Sequence, residues 1–150
     1  MVDTLELDWQ VRHYVYNFFV QQARPPSVEE TAERFIISVA GARASYLRLQ
    51  ERHAFMLIPD TFQIQMANPL SARPTPYYVE TQGRKLYANC AWDMLGIPAM
   101  LHAETATIQT MYTHSAQRVT LTVEHDSVQG VGIIHFLVPF KHWYDDLLHT

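Results

Sequence analysis

The chain has 150 residues, 48% hydrophobic and 17% charged, which is enough apolar side chain to fill one compact core or two small ones. A formal net charge of −4 gives no electrostatic reason for a nucleic acid or an anionic membrane as partner. No apolar stretch of about 18 residues occurs, the first residues lack the basic start and apolar run of a leader, and one cysteine cannot form an intramolecular disulfide, so the sequence reads as cytoplasmic.

The first third is patterned for helices. Leu7, Val11, Tyr14, Val15, Phe18 and Phe19 recur at three- and four-residue spacing and form one apolar stripe that stops before Pro25-Pro26. Ser27 with Glu30 three residues on is a capping box, and Val28, Ala32, Phe35 and Ile36 form the expected buried side of a second helix. A third helix is predicted from about Val39 to His53, with Ala42, Tyr46, Leu47 and Leu49 toward the core and Gly41 weakening its start. The period then falls to two. Ala54–Ile58 and Phe62–Met66 flank Pro59-Asp60-Thr61 and predict a hairpin with a three-residue connection. Three helices and a hairpin suggest a winged helix-turn-helix over residues 1–70, and the proline-rich run from Asn68 to Pro76 marks the boundary with a second region, 71–150.

That second region opens with strands Tyr77–Thr81 and Arg84–Ala88 around Gln82-Gly83, another hairpin signal. A short helix follows around Cys90, with Asn89 as its cap and with Gly96 and Pro98 interrupting or ending it. Thr105–Met111 and Arg118–Glu124 alternate polar and apolar residues and predict strands, with His114-Ser115-Ala116 available for a turn. Val131–Val138 reads as a well-buried strand and Phe140–Leu148 as a short amphipathic helix. The expected fold class is α+β: a winged-helix-like helical region packed on a small mixed core with antiparallel hairpins.

Chemistry concentrates at one place. In Asn89-Cys90-Ala91-Trp92-Asp93 a thiol and a carboxyl stand three residues apart, on one face if the segment is helical. A lone cysteine commonly serves as a small buried hydrophobe, and Asp93 alone would be a solvated or capping carboxylate. In the first turn of a helix the macrodipole and unpaired N–H groups favour thiolate, whereas an ionised Asp93 opposes it. One proton shared between the two groups resolves the conflict. Trp92 reads as a packing residue or as an aromatic wall excluding water.

The stretch from Asn89 to Ala99, together with Met66-Ala67-Asn68-Pro69-Leu70-Ser71 and the aromatic-acidic run from His142 to Thr150, resembles the organomercurial (alkylmercury) lyases, whose core contains a Cys-x-x-Asp motif. The resemblance implies cleavage of carbon–mercury bonds: thiolate captures the soft metal of R–Hg–X, and a carboxyl helps deliver a proton to the departing carbon, leaving a hydrocarbon and Hg(II). On this resemblance Cys90 is the thiol that attacks mercury, and Asp93, beside the metal, is the proton-handling acid. The implied partners are an organomercurial substrate and an external thiol or other acceptor of mercuric ion, with no cofactor, nucleic acid or membrane. The family's mechanism uses a second cysteine downstream of a stretch similar to His142–Thr150, and this chain has one cysteine. A degenerate protein, a shortened chain and a selenocysteine codon read as a stop remain open as explanations.

Two other classes are carried as alternatives: a winged-helix DNA-binding regulator with Cys90 as metal sensor, and a non-catalytic mercury- or thiol-binding relic. Against the first, residues 1–60 hold six Arg and eight Asp or Glu, and only the third helix, with Arg43, Arg48 and Arg52, is locally positive. The eight histidines include no His-Glu-x-x-His, Asp145-Asp146 reads as the wet face of a helix, and phosphate-loop, nucleophile-elbow and dinucleotide signatures are missing from the sequence.

Overall fold

The computed structural model describes residues 4–143 and 145. Helix α1 (Thr4–Gln22) buries Val11, Val15 and Phe19 at successive four-residue steps, so its apolar stripe faces the core as the sequence pattern requires. Tyr14 and Phe18 lie beside that stripe, half-buried, and Tyr14 meets Phe35 edge to face at 5.6 Å between ring centroids. Helix α2 (Val28–Phe35) starts on the predicted capping box: Ser27 Oγ accepts the Glu30 N–H at 3.1 Å, and Glu30 Oε2 accepts the Ser27 N–H at 2.7 Å. Ile36 is not part of the buried side. It takes the left-handed conformation that ends the helix (φ 54°), which swings its side chain outward to 95% exposure.

Helix α3 (Val39–Glu51) is capped by Ser38, whose Oγ accepts the Gly41 N–H. Ala42, Tyr46 and Leu49 are buried as expected, but Leu47 is exposed and Ser45 is buried in its place. Asp8 of α1 sets that rotation. Its carboxylate accepts hydrogen bonds from Ser45 Oγ at 2.7 Å, Arg48 Nε at 2.8 Å and Arg48 Nη2 at 2.7 Å, with Arg52 3.8 Å away. The polar face of α3 is therefore turned into α1. Arg43, the third arginine of this helix, lies over the Phe62 ring at 4.9 Å. The locally positive helix is thus occupied within the molecule, and all three of its arginines face protein groups.

Strands β1 (Met56–Leu57), β2 (Ile64–Ala67) and β3 (Leu70–Ser71) form a small antiparallel sheet in that order. The β1–β2 hairpin is present, but its connection runs from 58 to 63, longer than the three residues expected. The register breaks between Met56 and Leu57, and Thr61 closes a turn by donating its N–H to the Ile58 carbonyl.

A second antiparallel sheet follows, in the order β5-β4-β6-β7-β8. Its strands are β4 (Tyr78–Thr81), β5 (Arg84–Tyr87), β6 (Thr105–Met111), β7 (Arg118–Glu124) and β8 (Ser127–Gln129). The β4–β5 hairpin turns on Gln82 (φ 50°) and Gly83 (φ 72°), both left-handed as a two-residue primed turn demands. Helix α4 (Asp93–Met100) packs on β4 and β6 and runs through Gly96 and Pro98, where the sequence predicts interruption. Pro98 forgoes one backbone bond, but it and Ile97 are buried against the sheet, and burying one such apolar side chain contributes about 1.5–3 kcal/mol. One apolar cluster runs from Val11 and Tyr46 through Leu70 to Val79, Ile97 and Ile108, and a Leu70–Ala88 bridge links the two sheets. Among the described residues no helix is long and apolar enough to cross a membrane.

The predicted strand at Val131–Val138 does not form. Strand β8 ends at Gln129, Gly130 takes φ 126°, and Val131 and Leu137 are 89% and 86% exposed. An apolar run sets the tendency to be buried but does not supply a neighbour to pair with. Within the expected terminal helix the described residues contain one 3-10 turn, Phe140–His142, whose His142 side chain meets Asp145 at 2.9 Å. Tyr144 and the residues from Asp146 onward, His149 among them, lie outside the described residues.

Candidate functional site

Cys90 lies between β5 and α4, and Asp93 is the first residue of α4. The backbone bends at Asn89 and Cys90, turns at Ala91 and Trp92, and becomes helical at Asp93. Cys90 therefore precedes the helix, contrary to the expectation that it occupies the first turn, and Trp92 stands at the cap position without a capping side-chain bond. The Cys90 carbonyl still accepts the Met94 N–H at 3.3 Å, so the bend leads directly into α4. Asn89 is not the cap; its side chain is engaged elsewhere.

Burial dominates the electrostatics of the pair. It pushes the Cys90 thiol above its ordinary value; hydrogen bonding from the Asp93 backbone N–H offsets part of this, and the Asp93 charge adds to it. Burial also pushes the Asp93 carboxyl up, against the opposing hydrogen bonds from Asn89 and Cys90. The N–H groups of Asp93 and Trp92 at the helix start favour thiolate as expected, but burial and the neighbouring carboxyl outweigh them. Each group holds its proton more tightly than it would in water. The hydrogen bond between the two side chains gives a proton a short path from one to the other.

Asn89 Nδ2 donates to Asp93 Oδ2 at 3.1 Å and to Asn68 Oδ1 at 3.0 Å. The Asn68 carbonyl lies 3.0 Å from the Tyr16 hydroxyl of α1, which is also 2.9 Å from the Ala54 carbonyl. The Asn68–Pro69 peptide is cis, and Pro69 lies against Gly96 of α4, where an added Cβ would come within 3.3 Å of the proline ring. Thr75 Oγ1 donates to the Ala88 carbonyl at 2.7 Å and is 2.9 Å from that of Tyr77, tying down the strand end just before the bend.

An aromatic group gathers around Trp92, between Cys90 and Asp93 in sequence. Trp92, 52% exposed, meets Phe136 edge to face at 6.0 Å between centroids; Phe136 meets Trp143 at 5.2 Å, and Trp143 meets Phe140 at 5.0 Å. Trp143 Nε1 donates to the Val138 carbonyl at 2.8 Å, holding the irregular segment after Gly130 in place. Among the described residues no cluster of three or more His, Cys, Asp or Glu could hold a metal ion; the donors gathered here are the Cys90 sulfur and the Asp93 carboxyl. A cavity of about 720 Å³ between α3 and the β1–β2 hairpin, lined by Phe55, Met56, Phe62 and Met66 among others, reaches this region at Asn68. A second cavity, of about 510 Å³, lies at the far end of the large sheet near Lys85 and Glu124.

The structure brings together both residues that the sequence singled out. Sequence reasoning missed the part played by Asn68, Asn89 and Phe136. Asn68 was legible only as a member of Met66–Ser71, and no local pattern links Phe136 to a tryptophan 44 positions earlier.

The fold and site define an α+β protein with a half-buried thiol–carboxyl pair at the start of a sheet-packed helix. Residues 70–145 match the family model of the alkylmercury lyases, MerB, and the chain belongs to that family. It is 33% identical over 114 residues to an alkylmercury lyase of Streptomyces lividans, covering 73% of this chain and 48% of that one. Over 62 residues it is 37% identical to an alkylmercury lyase of Pseudomonas putida, covering 41% of this chain and 29% of the relative. The chain thus spans about half the length, or less, of these relatives. A crystal structure of the mercury-bound form of MerB2 shares the fold, with a TM-score of 0.62 and 19% identity over 80% of this chain and 58% of that one.

Proposed function

We propose that the chain cleaves carbon–mercury bonds of organomercurials, with Cys90 as the capturing thiol and Asp93 as the proton carrier. The observation that carries this reading is the half-buried pair itself: a soft sulfur ligand beside a carboxyl whose proton affinity burial has raised. As the Cys90 sulfur displaces X⁻ from R–Hg–X, its proton passes to the Asp93 carboxylate, leaving R–Hg–Sγ and a neutral acid. Asp93 then gives that proton to the carbon. The electron pair of the carbon–mercury bond becomes the new C–H bond, R–H departs, and Hg(II) stays on sulfur beside the regenerated carboxylate. With one cysteine in the chain, a thiol from solution takes the second coordination place and carries the ion away. Trp92 and Phe136 limit access of water on one side.

The two regions divide the work in this reading. Residues 1–70, read as a winged-helix-like scaffold on the order of three helices and a hairpin, support the bend, and residues 71–150 carry the chemistry. The lone thiol also suits a cytoplasmic setting. Neither a nucleic acid nor a membrane is proposed as partner: Arg48 and Arg52 face Asp8, and Arg43 covers Phe62.

Intact-mass measurement with an arylmercury compound tests the thiol assignment. One adduct is expected on the wild type and none on Cys90→Ser, and equal loading of both would remove it. Hydrocarbon release, followed with and without an added small thiol, tests turnover. Release that quickens with thiol is expected, and no release under either condition would reduce the protein to a mercury binder.

A further inference from the structure

Asn89 has two side-chain N–H donors, and both are used: one on Asp93 Oδ2 at 3.1 Å, one on Asn68 Oδ1 at 3.0 Å. From this geometry, and resting on the lyase reading above, we propose that Asn89 is a positioning residue for the Asp93 carboxyl and that Asn68 is the post that fixes Asn89. A carboxyl turns in a broad torsional well, so a proton carried on it is poorly aimed unless something holds the plane. An amide held at both donors does this.

The post is itself held from two sides. The Tyr16 hydroxyl of α1 meets the Asn68 carbonyl at 3.0 Å. The next residue, Pro69, rests on Gly96, three residues into α4 from Asp93, at a separation a Cβ would narrow to 3.3 Å. The contacts therefore close a ring, from Asp93 through Asn89, Asn68 and Pro69 back to the helix that Asp93 begins. A Cβ at Gly96 would press on the proline ring, so glycine leaves this contact unstrained. In this arrangement the N-terminal helices enter the reaction through Tyr16, by holding the post rather than by touching substrate.

Two measurements test the proposal, one of them independent of turnover. In nitrogen-15 NMR spectra of the whole chain, the Asn89 side-chain amide should give two proton signals, one displaced by Asp93→Ala and the other by Asn68→Ala. Signals indifferent to both substitutions would overturn the relay. In single-turnover assays with an arylmercury compound, Asn89→Ala should capture mercury on Cys90 at a rate within about twofold of wild type yet release hydrocarbon about tenfold more slowly. Asn68→Ala should fall in the same direction by about threefold, and Asn68→Asp, which keeps an acceptor for Asn89, should recover most of that loss. Capture and release falling together would make Asn89 a folding residue only, and release unchanged in Asn89→Ala would overturn the positioning role. If the wild type releases no hydrocarbon, the lyase reading fails and takes the role of Asn89 with it. The persisting amide signature would distinguish that failure from absence of the relay.

Discussion

Asp8 and Asp93 are the same residue in opposite surroundings, and the two regions they anchor differ accordingly. In the helical region, burial pushes the Asp8 carboxyl up, but hydrogen bonds from Arg48 and Ser45 and the nearby Arg52 charge outweigh it, and the group is held below its ordinary value. At the start of α4 no cation is among the groups acting on Asp93; burial prevails over the hydrogen bonds from Asn89 and Cys90, and the carboxyl is raised. A buried acid paired with arginines is a fixed charge that fastens two helices. A buried acid beside a thiol and an amide holds its proton more readily than one in water and can take and give it. The helical region is thus satisfied within itself, whereas the bend keeps an unneutralised proton pair.

The comparison breaks first at Asp93. Asp93→Asn should slow hydrocarbon release roughly 100-fold or more while leaving mercury capture stoichiometric, as single-turnover analysis would record. The same substitution removes the charge that helps raise the Cys90 thiol, so Cys90 should become more acidic. Its alkylation rate against pH should then shift to lower pH, and an unmoved profile would mean that the two groups are not coupled.

Asp8→Ala should do the reverse. Leaving Arg48 without its partner should cost about 3 kcal/mol in urea unfolding, while release per folded molecule stays at the wild-type level. Ser27→Ala, which removes one half of the α2 capping box, should cost about 1 kcal/mol by the same measurement, again without a change in release.

The smallest effect is on pH stability. The hydrogen bond from Arg24 and then that from the Ser27 backbone N–H lower Glu30 from 4.5 to about 2. A depressed acid stabilises the fold above its unfolded value, and that contribution is lost as pH falls through the folded value. The Glu30 contribution should therefore be whole above about pH 4.5 and disappear toward pH 2, and it should be small because the pair is largely exposed. A difference between wild type and Glu30→Gln in melting temperature against pH, confined to that window, would bear this out.

Local chemistry made much of the fold legible. The capping box at Ser27, the primed turn at Gln82-Gly83 and the alternation in β6 and β7 depend on neighbours in sequence, and each appears where the pattern places it. Where the reading failed, a partner distant in sequence had decided the outcome. Leu47 faces solvent because Asp8 draws Ser45 and Arg48 inward. Pro98 stays within α4 because the sheet buries it.

The site divides along the same line. By itself the sequence determined that a thiol and a carboxyl stand three residues apart in a surround resembling the alkylmercury lyases, since identity and spacing are properties of the chain. Only the tertiary structure decided that Cys90 precedes the helix, that burial raises both proton affinities, and that Asn68 reaches Asn89 across 21 positions. Desolvation and long-range hydrogen bonds depend on what the fold places around a group, and a linear pattern carries no record of that.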